Sequence, residues 1–304
     1  MLVRRSLLLA ASALLTFPAR GAEPLPVLAS FSILADFARE VGGERVRVEA
    51  LVGPGQDAHT FAPAPGDAQR VAAARVIVVN GLGFDTWMLR LAQAANFRGT
   101  RIVASEGIRT LKARHHHHHG HDHGHHHHGD ADPHIWQDPK RAQVMVRRIA
   151  AGLSAIDPAG RATYEANAAR YNDRLEALHA WVEAQFQGIP REARRVVTSH
   201  DAFAYFGERY GVTFLSPQGV TTRAEPSAQQ VTQLVQQIRR DRIRAIFFED
   251  MANPRLIEQV AREAGVRVGG RLFSDALSPP DGPAPTYEAM MRHNTRALIE
   301  ALAG

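Results

Sequence analysis

The chain contains no cysteine in 304 residues. That excludes disulfides, and it excludes thiolate ligands at any metal site. It also argues against a lipid anchor carried on an N-terminal cysteine. Beyond residue 17 there is no run of about 18 consecutive apolar residues, so no transmembrane helix is expected in the remainder. Charge of one sign is missing too. The 36 basic residues are offset by 31 acidic ones and are scattered along the chain, which disfavours a nucleic-acid binder. With 45% hydrophobic and 22% charged residues the composition is that of an ordinary globular protein.

The N-terminus stands apart. Arg4 and Arg5 precede an apolar run, residues 6–17, followed by Pro18 and the small-residue stretch Ala19-Arg20-Gly21-Ala22. A basic start, an apolar segment too short to span a bilayer and a small-residue cleavage site predict a signal peptide over residues 1–22. Its removal takes Arg4, Arg5 and Arg20, lowering the formal charge from +5 to +2 (5 − 3). An exported protein without an anchor needs an enclosed compartment to be retained, so a periplasm is expected.

Histidine is where the sequence is rich. His115, His116, His117, His118, His119, His121, His123, His125, His126, His127 and His128 form one run, broken only by Gly and Asp. Neutral imidazole is the commonest metal ligand, and His-rich tracts mark metal binding. An expression tag would sit at a terminus and would not be interrupted. The run lies in a segment, 109–132, without periodicity. It reads as a flexible arm with a reach of about 27 Å, able to hold additional zinc weakly.

The rest alternates strand and helix. Strands are expected at 27–31, 46–52, 76–80 and 101–105, with helices at 33–41, 65–74 and 86–96. Helix 139–156 follows the arm, then a longer one over 162–186 that contains no Gly or Pro. Further strands are expected at 195–198, 212–215, 245–249 and 266–272. Helices are expected at 202–209, from 226 onward, at 254–264 and at 286–303. This alternation predicts an α/β fold of two lobes, each a four-stranded, mainly parallel sheet flanked by helices, joined by one long helix. The boundaries expected are 23–157 for the first lobe, 158–189 for the linking helix and 190–304 for the second lobe.

His59, His134, His200 and Asp275 fall at turns between strands and helices, the edge where open α/β sheets bind ligands. If the lobes face each other, each contributes two. Three imidazoles and a carboxylate without sulfur suit a closed tetrahedral Zn²⁺ site. His179 and His293 lie inside predicted helices and are read as packing residues. Phe61, Trp136 and Phe203 neighbour the candidate ligands and either exclude water from them or belong to the core. Asp57, Asp138 and Asp201 are candidates for orienting an imidazole through its other nitrogen.

Five stretches carry a family likeness: Gly55-Gln56-Asp57-Ala58-His59-Thr60-Phe61, Asn80-Gly81-Leu82-Gly83-Phe84-Asp85-Thr86-Trp87, Asp132-Pro133-His134-Ile135-Trp136-Gln137-Asp138-Pro139, Ser199-His200-Asp201-Ala202-Phe203 and Ser274-Asp275-Ala276-Leu277. Together they resemble the solute-binding proteins of zinc and manganese ABC importers. The resemblance implies a bilobed fold with one long helix and metal held between lobes by His59, His134, His200 and Asp275. It further implies that histidine as third ligand goes with zinc and glutamate with manganese, and that a His-rich loop goes with zinc. Gln137 departs from the leucine usual there and is read as a harmless surface change. The disulfide of some zinc members is absent.

The expected function is therefore capture of Zn²⁺ and its delivery to an inner-membrane ABC zinc permease by a monomer that is not an enzyme. Two alternatives stay open: a zinc buffer or chaperone without a transporter, and a zinc-dependent hydrolase. Against the hydrolase, Asp275 closes the fourth position, and the five motifs offer no helix-borne HExxH.

Overall fold

A computed structural model describes residues 23–113, 131–251 and 254–303. The expected signal peptide and the histidine run His115 to His128 lie outside the described residues.

The first sheet consists of β1 (Leu25–Phe31), β2 (Val46–Val52), β3 (Val76–Val79) and β4 (Thr100–Val103), in the order β2-β1-β3-β4. All its pairings are parallel. The second sheet, β5 (Arg195–Val197), β6 (Thr213–Leu215), β7 (Ala245–Glu249) and β8 (Arg267–Leu272), repeats that order as β6-β5-β7-β8, again parallel. Helices on both faces bury such strands from both sides, which is why β3 reads as an uninterrupted Val-Ile-Val-Val, every residue of it buried.

The helices of the first lobe are α1 (Ser32–Gly42), α2 (Pro65–Ala73), α3 (Thr86–Ala94) and α4 (Pro139–Ile156). Asp138 starts α4: its carboxylate accepts the Lys140 backbone N–H at 3.0 Å, with Pro139 at the first helical position. At residue 152 of α4 glycine permits the close approach to β4, because a Cβ there would lie 2.5 Å from the Ile102 side chain and force it to shift. The predicted end of α3 at residue 96 is two residues too long. Asn96 has φ 50°, which terminates the helical turn.

The long helix α5 (Arg161–Gln185) buries Tyr164, Ala168, Tyr171, Leu175, Leu178 and Val182. These recur at alternating steps of four and three, the narrow seam of helices packed nearly side by side. The seam lies against α4 and α1 of the first lobe and α9 (Tyr287–Ala303) of the second. At about 1.5 Å per residue α5 is roughly 37 Å long.

The second lobe adds α6 (Ala204–Tyr210), α7 (Ala228–Arg240) and α8 (Pro254–Ala264). The apolar core is not split evenly between the lobes. One cluster runs from the first sheet through α4 and α5 into α6, α9 and the inner face of the second sheet. A separate, smaller cluster joins Val197 and Ile246 to Val231, Leu234, Val260 and their neighbours on α7 and α8. The lobes thus share a core at their interface, and only the outer side of the second lobe packs by itself.

Candidate metal centre

Four side chains from four separate stretches meet between the lobes. His59 lies in the loop after β2, His134 in the approach to α4, His200 after β5 and Asp275 after β8. One potential ligand atom from each lies within 4.8 Å of every other. The Nε2 atoms of His59 and His200 are each 3.3 Å from Nε2 of His134. The Asp275 carboxylate faces the same point, 3.1 Å from Nε2 of His59, 3.2 Å from that of His200 and 3.5 Å from that of His134. His134, His200 and Asp275 are wholly buried and His59 is 4% exposed.

Three lone pairs and a carboxylate aimed at one point, away from water, would repel unless a cation or protons lay between them. Apart from the three facing imidazoles, neither oxygen of Asp275 has a hydrogen-bond partner, which is what a carboxylate reserved for a cation would show. Burial opposes its charge, but the facing imidazoles overcome this and hold its pKa well below the ordinary value. Burial likewise opposes charge on His200, yet Glu249 and Asp275 carry its pKa well above that of free imidazole. His59 is pulled down, burial outweighing Asp275. The donor set, N₃O and closed, fits a tetrahedral divalent ion.

Two groups that orient the imidazoles, Asp132 and Glu249, are not among those expected from sequence. Asp132 accepts both the backbone N–H of His134, at 3.0 Å, and its ring Nδ1–H, at 2.7 Å, which leaves Nε2 free to face inward. Glu249, at the end of β7, accepts the His200 backbone N–H at 2.9 Å, and its other oxygen lies 2.5 Å from the His200 Nδ1. Of the expected carboxylates, Asp57 accepts the backbone N–H of His59 and the Thr222 hydroxyl. Asp138 caps α4 and pairs with Arg141 and Arg209. Asp132 stood in a quoted motif, and its spacing of two from a ligand was the available signal. Glu249 had none, because only strand pairing brings it to His200.

The aromatic expectations hold in part. Trp136 is buried with its ring centre 5.3 Å from that of His134. Phe61 packs on Trp87 and Phe203 stacks on Phe214, both as core contacts. The ring that covers two of the four candidate ligands is Phe84, edge-on to His59 at 4.7 Å and to His134 at 6.0 Å. Its loop is a scaffold for the site. Asp85 accepts the Ser30 hydroxyl and the backbone N–H groups of Asn80 and Gly81, tying down a turn with φ 86° at Gly81 and φ 55° at Leu82. From that turn Asn80 donates to the Pro133 carbonyl, and Trp87 donates to that of Ala58, each one residue before a ligand.

Gln137 corrects a reading. It is fully buried, not on the surface, and its amide donates to the Ser274 carbonyl at 2.7 Å. His179 and His293 stay away from the centre as expected: His179 meets the Tyr210 hydroxyl and His293 the Arg271 carbonyl.

A family model described as the zinc-uptake complex component A, periplasmic, matches residues 27–301. The manganese-binding lipoprotein MntA of Halalkalibacterium halodurans is 32% identical over 282 residues, covering 92% of this chain and 89% of its own. The iron-binding protein YfeA of Yersinia pestis is 30% identical over 274 residues, covering 90% and 85%. Among solved structures, the periplasmic zinc binding protein TroA of Treponema pallidum superposes with a TM-score of 0.84 at 28% identity, covering 92% of this chain and 99% of that one.

Proposed function

This chain belongs to the family of periplasmic zinc-uptake complex component A proteins, and from that premise we propose that it captures Zn²⁺ in a periplasm and delivers it to an inner-membrane ABC permease. The ligands are Nε2 of His59, His134 and His200 and the carboxylate of Asp275. One observation carries the reading: these four donors converge, buried, from both lobes, and the carboxylate has no other partner. A metal held this way is enclosed for transport. All four tetrahedral positions are filled from the protein, so the arrangement offers no open position for the water a hydrolase would use. Among the described residues no helix is long and apolar enough to cross a membrane.

The relatives carry names that point to manganese and iron as well as zinc, so the choice of metal rests on the donor set. Three imidazoles and one carboxylate favour Zn²⁺ over Mn²⁺, both by ligand type and by the general ordering of divalent affinities. We further infer that His115 to His128 supply weaker zinc sites that feed the centre. Competition titrations test the first reading: Zn²⁺ is expected to outcompete Mn²⁺ by orders of magnitude, and equal affinities would refute it. Removal of residues 115–128 should leave one tight zinc site and delete the weaker equivalents. Loss of all tight binding on that removal would instead make the protein a buffer.

A further inference from the structure

Two donors from the His134 segment converge on one acceptor across the lobe interface. Trp136 Nε1 donates to the Ser274 carbonyl at 2.8 Å, and Gln137 Nε2 donates to the same oxygen at 2.7 Å. Ser274 directly precedes the ligand Asp275, and the donors Trp136 and Gln137 follow the ligand His134 closely, in the short turn Ile135–Gln137. All five residues are buried. The two lone pairs of this carbonyl are therefore both used, and the position of Asp275 relative to His134 is set through them.

Gln137 is the less expected partner. Indole N–H is attached to a ring that packs on Phe31 and Phe84 and would be buried in any case. The amide of Gln137 has no such packing reason to be polar. Its Oε1 is buried without a hydrogen-bond partner, a cost that an apolar side chain of the same size would not incur. Turning the amide over would set two oxygens 2.7 Å apart, so the donor must face Ser274. A side chain that carries a fold-level cost while holding the backbone beside a ligand is best explained by what it does for that ligand.

We propose that Gln137 is a positioning residue that latches the Asp275 segment to the His134 segment and slows escape of the bound metal. The proposal rests on the metal-capture reading above and adds a residue to it. In the zinc-bound protein, opening the lobes at this point must break the Gln137–Ser274 bond before Asp275 can leave the ion. In the metal-free protein the bond and the orphaned oxygen nearly offset each other.

The test uses the intact protein loaded with Zn²⁺ and mixed with excess EDTA in a stopped-flow instrument, comparing wild type with Gln137→Leu and Gln137→Met. Both substitutions keep the volume and remove the donor together with the unpartnered oxygen. Zinc release is expected to quicken about three- to tenfold, the factor one neutral hydrogen bond is worth, with the capture rate within twofold of wild type. The Tm of the metal-free protein should be unchanged or raised. Unchanged release in both variants would overturn the latch while leaving zinc capture intact. A fall in metal-free Tm accompanied by equal changes in capture and release would also overturn it, reducing Gln137 to a packing residue. Failure of the wild type itself to take up Zn²⁺ would instead refute the function on which the latch depends.

Discussion

In the first lobe the carboxylate that grips a ligand histidine sits two residues away, whereas in the second it sits on a neighbouring strand. Asp132 and His134 share one turn, so the ring is oriented as soon as that turn forms. Glu249 and His200 are 49 residues apart and meet only once β5 lies beside β7. That pairing is short, with one registered pair, Val197 with Ile246, and β7 then slips register against β8. The cores differ in the same direction. The first lobe is part of the large continuous cluster, while α7 and α8 cover the outer face of the second sheet with the small one. Equal strand order therefore does not give equal rigidity. The first lobe presents two prepared candidate ligands, and the second presents two whose placement depends on sheet pairing and on ties across the interface. Those ties include Leu277 N–H to the Ser32 hydroxyl, Tyr287 hydroxyl to the Trp136 carbonyl and Arg223 to the His59 carbonyl.

The comparison breaks first at the ligands themselves. His134→Ala and His200→Ala should each weaken zinc binding by at least about three orders of magnitude, well beyond the 10–100-fold typical of groups that only orient a ligand. Calorimetry that found either variant within tenfold of wild type would remove that lobe from the site. Next come the cores. Ile149 on α4 and Ile257 on α8 are both fully buried, and Ile→Ala in a core costs about 2–5 kcal/mol. Ile149→Ala is expected at the top of that range with global loss of Tm. Ile257→Ala should fall at the bottom and show as faster amide exchange confined to α7 and α8. Equal costs, with exchange rising throughout, would mean that the two clusters unfold as one.

Asp132→Asn and Glu249→Gln compare the two anchors directly. Each should lower zinc affinity about 10–100-fold; both carboxylates hold the backbone and the ring of a histidine, and the Glu249 change should cost more because its histidine follows a thinly paired strand. Isotherms showing the Asp132 variant as the weaker binder would reverse the ranking of the lobes.

Most of this architecture was legible because apolar periodicity is local. β2, α4, β7 and α8 fall where spacing put them, and errors elsewhere are of one or two residues at ends fixed by backbone torsion, as at Asn96. The four converging side chains were legible too, since each stands at a strand or helix end in a motif. Glu249, Phe84 and Gln137 were not. Glu249 looks like the last residue of a buried strand, and its task depends on which strand lies alongside. Phe84 is one more apolar residue until His59 is folded over it. Gln137, a polar residue ahead of a helix, looks exposed, and only the approach of the second lobe buries it. What the sequence hides are contacts between segments that lie far apart in the chain.

The smallest expected effect probes that interface away from the metal. Asp36 on α1 accepts the backbone N–H of Tyr287, the first residue of α9, at 2.9 Å. Burial, aided by the nearby Glu40 and Glu288 and opposed by that hydrogen bond and by Arg39, pushes its pKa from 3.8 up to about 6. A carboxyl whose folded pKa is raised binds more protons in the folded state than in the unfolded one. Its contribution therefore favours folding at low pH and is lost as pH rises from about 4 to about 6. A shift of about two units corresponds to about 3 kcal/mol against the ionised form. Asp36→Asn keeps an acceptor for Tyr287 and removes the charge, but it buries an extra amide group that costs about 1–3 kcal/mol. The net gain at pH 7.5 should be about 1 kcal/mol, or about 2–4 °C in Tm, vanishing or reversing at pH 4. Melting curves of the metal-free variant and wild type at both pH values decide it. A Tm difference of the same size and sign at pH 4 and pH 7.5 would show that Asp36 joins α1 to α9 without feeling its burial.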